Sequence, residues 1–338
     1  MSEEASTIAL VGSWSGAGVD RRATAAELAR GWPSTGRPVS VFADLDAATQ
    51  RELRAMSIRC WPEGTFGRHV VSGDFDHAVL MLGPRFESLL ALARAADHGC
   101  HVWLQNDVVD CDESPIDAPV DWLVDMIGSA RSVIVGSDWL AGVVRRLSPT
   151  GPPVLVMPPA HPIVAPIVET PGRVIAVAGG DDEVREYLSG ALSADIVFVD
   201  DHMTSDVISA RLLSARAGVE IRTHERGFAS TTVTHMMARG LPTITTLGAH
   251  SPFASSLTTT GLVVIDDAGD SGDLLADIAE LLRPILDDDR HWLEASTAAK
   301  TTAASWNWVD AAGVLSQWIH TADDLEPSTV RVVGAVAS

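Results

Sequence analysis

Short apolar runs alternate with longer amphipathic segments along nearly the whole chain. TIALVGS, PVSVFAD, SIRCWP, HAVLML, HVWLQND, SVIVGS and PVLVMP have the length and content of buried strands. Between them RATAAELARGW, AATQRELRAM, RFESLLALARAAD, WLVDMIGSA and WLAGVVRRL carry helical spacing. Such alternation predicts a parallel sheet covered by helices on both faces. The pattern stops at HPIVAPIVETPG, residues 161–172, where prolines without periodicity predict an interdomain linker. It restarts with VIAVAGG, DEVREYLSGAL, ADIVFVD, SDVISARLLSARAG, VEIRT, TTVTHMMARG, LPTITT and GLVVIDD. Helical segments within DLLADIAELLRPIL, DRHWLEASTAAKTTAA and WNWVDAAGVLSQWIH close the chain, and the residues after Asp323 read as a frayed tail. The predicted class is α/β, with two Rossmann-like, doubly wound parallel-sheet domains facing a cleft.

Composition narrows the function classes. A length of 338 residues allows two cores, and 46% hydrophobic with 20% charged residues is ordinary for a soluble protein. No apolar run approaches a membrane span, and MSEEASTIALVGS opens with acids where a signal peptide carries basic residues. The cysteines, Cys60, Cys100 and Cys111, are odd in number and lack metal-ligand spacing, so reduced thiols in a cytoplasmic protein are expected. A formal charge of −21 opposes nonspecific nucleic-acid binding. Lys300 is the only lysine, so contacts to phosphate fall to arginine, histidine or backbone N–H groups.

Ligands in open α/β sheets sit at the carboxyl ends of the strands, and three loops there carry unusual residues. In GSWSGAGVDRRA, residues 12–23, Gly16 and Gly18 permit backbone to approach a phosphate at a helix start. The loop is too long and one glycine short for a dinucleotide fingerprint, although Asp44, at the end of the next strand, is placed as a ribose-binding acid would be. A flexible turn explains the glycines equally well. In HVWLQNDVVDCDESPID, Asp107 lies closest to the strand end and is the candidate base or sugar ligand. Asp110, Asp112 and Glu113 read as a solvated acidic loop without calcium-loop spacing. In THERGFASTTVTHMMARG, a turn at Gly227 leads to Ser230, Thr231 and Thr232 at a helix start, where unpaired N–H groups and the dipole favour an anion. Helix capping is the plain explanation for Ser230 or Thr231. Val233, Met236 and Met237 share one apolar face, and His235, off that face, reads as solvated.

Taken in order, these segments resemble a retaining glycosyltransferase of the GT-B fold and the large family-4 type. HERGFASTTVTHMMARGLPTI is similar to that family's nucleotide-sugar motif, an acid and a Gly-aromatic turn before a helix ending in Ala-Met-Ala-x-Gly-x-Pro. GAGVDRRATAAELARG resembles its N-terminal Gly loop, ARSVIVGSDWLAGVVRRL its segment before the linker, and ASWNWVDAAGVLSQWI its closing Ser-Trp helix. The resemblance implies an acceptor domain over 1–160, a donor domain over 161–304, and a helix and tail over 305–338 that return to the first domain.

Departures from the family pattern accompany the likeness. His235 stands where the family's second, ribose-binding glutamate belongs, and Glu225 lies two positions from the place of the first. Gly180 replaces a phosphate-binding arginine, Arg185 falls where a lysine is expected, and Asp181 and Asp182 add negative charge nearby. The second domain also looks one strand–helix unit short.

The resemblance implies transfer of a sugar from a nucleotide-diphosphate sugar, as co-substrate, to an acceptor hydroxyl, with no cofactor. Asp107 would orient or deprotonate the acceptor, and Glu225 would contact donor hydroxyls. Gly16, Gly18, Arg185, Arg226, Gly227, Ser230, Thr231, Thr232 and His235 would hold the nucleotide and its phosphates. No metal is required, because arginine and helix dipoles can offset the leaving charge. A catalytically impaired homologue, serving as a binding or scaffolding subunit of an active transferase, is the alternative. An epimerase and a nicotinamide oxidoreductase rank below it. Partners are a nucleotide sugar, a hydroxyl acceptor and a second copy or partner transferase.

Overall fold

The computed structural model describes residues 7–12, 21–82, 99–104, 120–157, 159–161, 171–199, 203, 205–222, 230–246, 248–265 and 271–333. The chain forms two compact units, one from Met1–Met157 with Trp308–Val333, the other built on Pro158–Asn307.

Elements of the first unit begin with β1 (Ile8–Gly12), α1 (Arg21–Gly31), β2 (Val39–Phe42), α2 (Ala47–Ala55), β3 (Arg59–Trp61), α3 (Phe66–Ser72) and β4 (His77–Leu82). They continue with β5 (Gly99–Leu104), α4 (Val120–Ser129), β6 (Ser132–Val135), α5 (Asp138–Leu147) and β7 (Val154–Val156). The second unit holds β8 (Val174–Gly179), α6 (Asp182–Leu192), β9 (Asp195–Val199), α7 (Ser205–Leu212), β10 (Ala217–Ile221) and α8 (Thr231–Arg239). After these come β11 (Thr243–Thr245), β12 (Leu262–Val264), α9 (Ser271–Asp287) and α10 (Asp289–Ala303). The chain ends in the first unit with α11 (Trp308–Thr321) and β13 (Val330–Val332).

Every strand pairing among the described residues is parallel. The first sheet runs β13-β7-β6-β5-β4-β1-β2-β3 and the second β12-β11-β10-β8-β9. Strand order therefore reverses between β1 and β4 in one unit and between β8 and β10 in the other. All five residues of β1 and all six of β5 are buried, as the unbroken apolar runs require when helices cover both faces. Asp46, Ser137, Asp181, Ser230 and Asp288 cap α2, α5, α6, α8 and α10 by accepting N–H groups of the first turn. A Cβ at Gly31 would lie 2.2 Å from the Trp308 carbonyl oxygen, so the glycine lets the end of α1 meet the start of α11.

One expectation fails in the tail. Val330–Val332 is no frayed end: it pairs with Val154–Val156 and becomes the edge strand of the first sheet. Val154 N donates to Thr329 O, Val333 N to Val156 O, and the Arg145 guanidinium to Thr329 O at 2.8 Å. Three β-branched valines around Arg331 suit that open edge.

The amino ends of β4, β5 and β6 carry a polar network. His101 is fully buried, joined at Nδ1 to Ser132 Oγ at 2.8 Å and at Nε2 to His77 Nδ1 at 3.3 Å. Trp318 Nε1 of α11 donates to the same Ser132 hydroxyl at 2.8 Å. Burial above all, then nearby His77, Arg131 and His320, lowers the His101 pKa to about 3, so its ring is neutral.

Candidate functional site

The reversal point of a doubly wound sheet opens a crevice at the carboxyl ends of its strands. In the second unit that point lies between Gly179, ending β8, and Ile221, ending β10. Gly179 has φ 67°, and a Cβ there would lie 2.2 Å from the Ile221 carbonyl oxygen. Only glycine satisfies both the dihedral and the contact. Asp181 then caps α6 by accepting the Val184 N–H at 3.0 Å. Arg185, on the first turn, pairs with Asp182 at 3.0 Å and lies 4.5 Å above the Phe198 ring. Asp182 is largely exposed, so the pair is screened and contributes little, but the guanidinium is already engaged on both sides.

At the start of α8 the described donors turn inward. The Ser230 hydroxyl accepts Thr232 N at 3.0 Å and Val233 N at 3.4 Å, and donates to Glu220 Oε1 at 2.8 Å. Ser230 N donates to His250 Nε2 at 3.0 Å. Ser230 thus acts as a helix cap, and of Thr231 and Thr232 only Thr231 is exposed. Glu220, on β10, is fully buried, and Arg222 Nε donates to the same Oε1 at 3.2 Å. The Thr246 hydroxyl accepts Arg222 N at 2.8 Å and donates to Arg222 O at 3.1 Å. His250 is fully buried, and burial lowers its pKa to about 4. The neutral ring suits an Nε2 that accepts an N–H.

His235 departs from the expectation of a solvated side chain. Every residue from Thr232 to Met237 is buried, because α8 is packed on all sides there, and His235 is 5% exposed. Among the described residues neither ring nitrogen has a hydrogen-bond partner. Burial first, then neighbouring His161 and Arg239, lowers its pKa to about 4. Val233, Met236 and Met237 are fully buried, as the helical spacing predicts.

Sequence reasoning did not select Glu220, Arg222, Thr246 or His250. The acid in AGVEI was a usable signal, because a carboxylate inside an otherwise apolar buried strand must find donors. Nothing in the spacing marks His250. Gly16, Gly18, Asp107, Asp110, Asp112, Glu113, Glu225, Arg226 and Gly227 lie outside the described residues, as does the linker from 162 to 170. Asp44 is exposed just beyond β2. Among the described residues no group of three His, Cys, Asp or Glu side chains is placed to hold a metal, and no helix is long and apolar enough to cross a membrane.

No family model matches the sequence, and no curated protein matches it. Solved structures do match in fold. A glycosyltransferase from Rickettsia africae superposes with a TM-score of 0.68 at 11% identity, over 94% of this chain and 98% of that one. Anabaena HepE in complex with UDP and glucose gives 0.63 at 11% identity, over 94% and 100%. Sucrose-phosphate synthase from Thermosynechococcus elongatus gives 0.61 at 12% identity, over 93% and 98%. The chain therefore has the α/β fold of GT-B glycosyltransferases, with a parallel doubly wound sheet in each unit.

Proposed function

We propose that this protein is a retaining GT-B glycosyltransferase of the family-4 type, which moves a sugar from a nucleotide-diphosphate sugar to an acceptor hydroxyl. The observation that carries the reading is likeness over nearly the full length to a glycosyltransferase and to a protein bound to UDP and glucose. The order of the sequence motifs supports it. In this reading Asp107 orients or deprotonates the acceptor and Glu225 contacts donor hydroxyls. Gly16, Gly18, Arg185, Arg226, Gly227, Thr231 and the α8 start that Ser230 and Thr232 shape serve the phosphates. His235 is suited to the nucleoside, because a neutral imidazole whose nitrogens have no partner among the described residues can donate one hydrogen bond and accept another.

A second reading, an impaired homologue that binds or scaffolds an active transferase, is favoured by one observation. Ser230, Thr232 and Val233 spend their N–H groups inside the protein, where an active donor site would aim them at phosphate. Thermal unfolding with uridine, guanosine and thymidine diphosphates and their sugars separates the two. A ligand that binds only the native state raises the midpoint, and a ligand at a hundred times its Kd adds about 2.7 kcal/mol. A clear rise with one nucleotide supports donor binding; no rise with any at millimolar concentration removes the transferase reading.

A further inference from the structure

Arg222 stands where the second sheet reverses, one residue past the end of β10. Its Cγ lies 3.6 Å from where a Cβ on Gly179 would sit, so the side chain passes over a position that has none of its own. Glu220 Oε1 takes both its Nε and the Ser230 hydroxyl, which gathers the guanidinium and the start of α8 on one atom. Thr246 pins the arginine backbone on both its N–H and its carbonyl. The side chain is 20% exposed, whereas Glu220 is fully covered.

We propose that Arg222, steered by Glu220, is a further guanidinium of this unit that grips a phosphate group, and that the ligand carrying it is a nucleotide diphosphate. Holding a guanidinium through Nε fixes the plane of its donor fork, the arrangement that recognises oxyanions. The positive end of α8 lies beside it and adds to the attraction. Glu220 is turned away from solvent, so its charge orients the arginine instead of meeting the ligand. The phosphate contact follows from this geometry alone, and its assignment to a nucleotide rests on the transferase reading.

The test follows thermal unfolding of the full chain with pyrophosphate and with uridine, guanosine and thymidine mono- and diphosphates. It compares wild type with Arg222→Lys, Arg222→Gln and the double variant Arg222→Met, Glu220→Gln. The double variant leaves no buried charge unpaired, and the lysine variant keeps Glu220 paired if the neutral ones fail to fold. Wild type should respond to pyrophosphate, and more to one diphosphate than to its monophosphate. The neutral variants should bind both about tenfold to a hundredfold more weakly, the loss expected for charge-assisted hydrogen bonds. Lysine, lacking the fork, should fall between. Undiminished affinity for pyrophosphate and diphosphate in the folded variants overturns the Arg222 assignment and leaves the transferase reading standing. A pyrophosphate response lost in the variants, with no nucleotide response in wild type, keeps the phosphate contact and overturns the nucleotide. No response of wild type to any of these ligands overturns both.

Discussion

Acid should destabilise this protein through its buried histidines. His101, His235 and His250 are held neutral, at about 3, 4 and 4, against an ordinary value of 6.5. Folded pKa values that lie below the unfolded ones mean that the unfolded chain binds protons first. Stability is therefore full above about pH 6.5 and falls as pH drops toward the folded values. At pH 5 each histidine withdraws about 2 kcal/mol, since the gap from 6.5 is about 1.5 units at 1.36 kcal/mol per unit. His235 and His250 belong to the second unit and together withdraw about 4 kcal/mol there; in the first unit His101 withdraws about 2 kcal/mol, and His77, its pKa also lowered chiefly by burial, adds to that. A domain is stable by roughly 5–15 kcal/mol in total, so the second unit loses a large share of its margin.

Urea unfolding followed by tryptophan fluorescence at pH 7, 6 and 5 measures the effect, fitted with a transition for each unit because two-domain chains need not unfold in one step. The urea midpoint should fall as the pH is lowered. His250→Gln keeps an acceptor for Ser230 N but cannot ionise, so about 2 kcal/mol of the acid-dependent loss should vanish in that variant. Relief of the −21 charge on acidification works in the opposite direction, but equally in variant and wild type, and so cancels in the comparison. Parallel pH slopes for wild type and His250→Gln would refute the reasoning.

Gly179→Ala should destabilise the second unit by about 2 kcal/mol or more, because it combines a positive φ with a clash against the Ile221 carbonyl; the urea midpoint checks this. Ser230→Ala removes a helix cap and a donor to buried Glu220 and should cost about 1–3 kcal/mol, with a matching loss of amide-exchange protection in the first turn of α8. Ser132→Ala should cost about 1–3 kcal/mol in the first unit by stranding Trp318 Nε1 and His101 Nδ1. A change below a few tenths of a kcal/mol in any of the three contradicts its account.

The sheets were legible in the sequence because their strands are buried on both faces, which leaves unbroken apolar runs between helical patterns. The core face of α8 was legible from Val233, Met236 and Met237. Its other face was not, since helical periodicity reports which residues are apolar and cannot report that a histidine is enclosed by neighbours remote in sequence. His235 faces His161, more than seventy positions earlier, and no local pattern carries that proximity. The β13 edge was missed for a related reason: Val330–Val332 is short, and among the described residues its partner strand is the distant Val154–Val156. Ser230 was read both as a cap and as an anion ligand, and only the positions of Glu220 and His250 show where its hydroxyl and N–H go.

Glu220 is the residue whose presence most needs a cause. A carboxylate in the middle of a parallel sheet loses its hydration, and a buried ion pair is often no more stable than apolar side chains of the same volume. Stability alone would therefore place a valine or isoleucine between Val219 and Ile221. What a valine could not do is hold the Arg222 guanidinium and the Ser230 cap on one oxygen at the strand end where a doubly wound sheet binds its ligand. Positions that break a local rule are expected where function outweighs packing. The acid in AGVEI is such a position, and the arginine it steers supplies positive charge at the reversal point of a chain whose net charge is −21. Charges farther away than about 8–10 Å are screened at physiological salt, so the groups near the reversal point, and not the sum over the chain, set the field that a phosphate would meet.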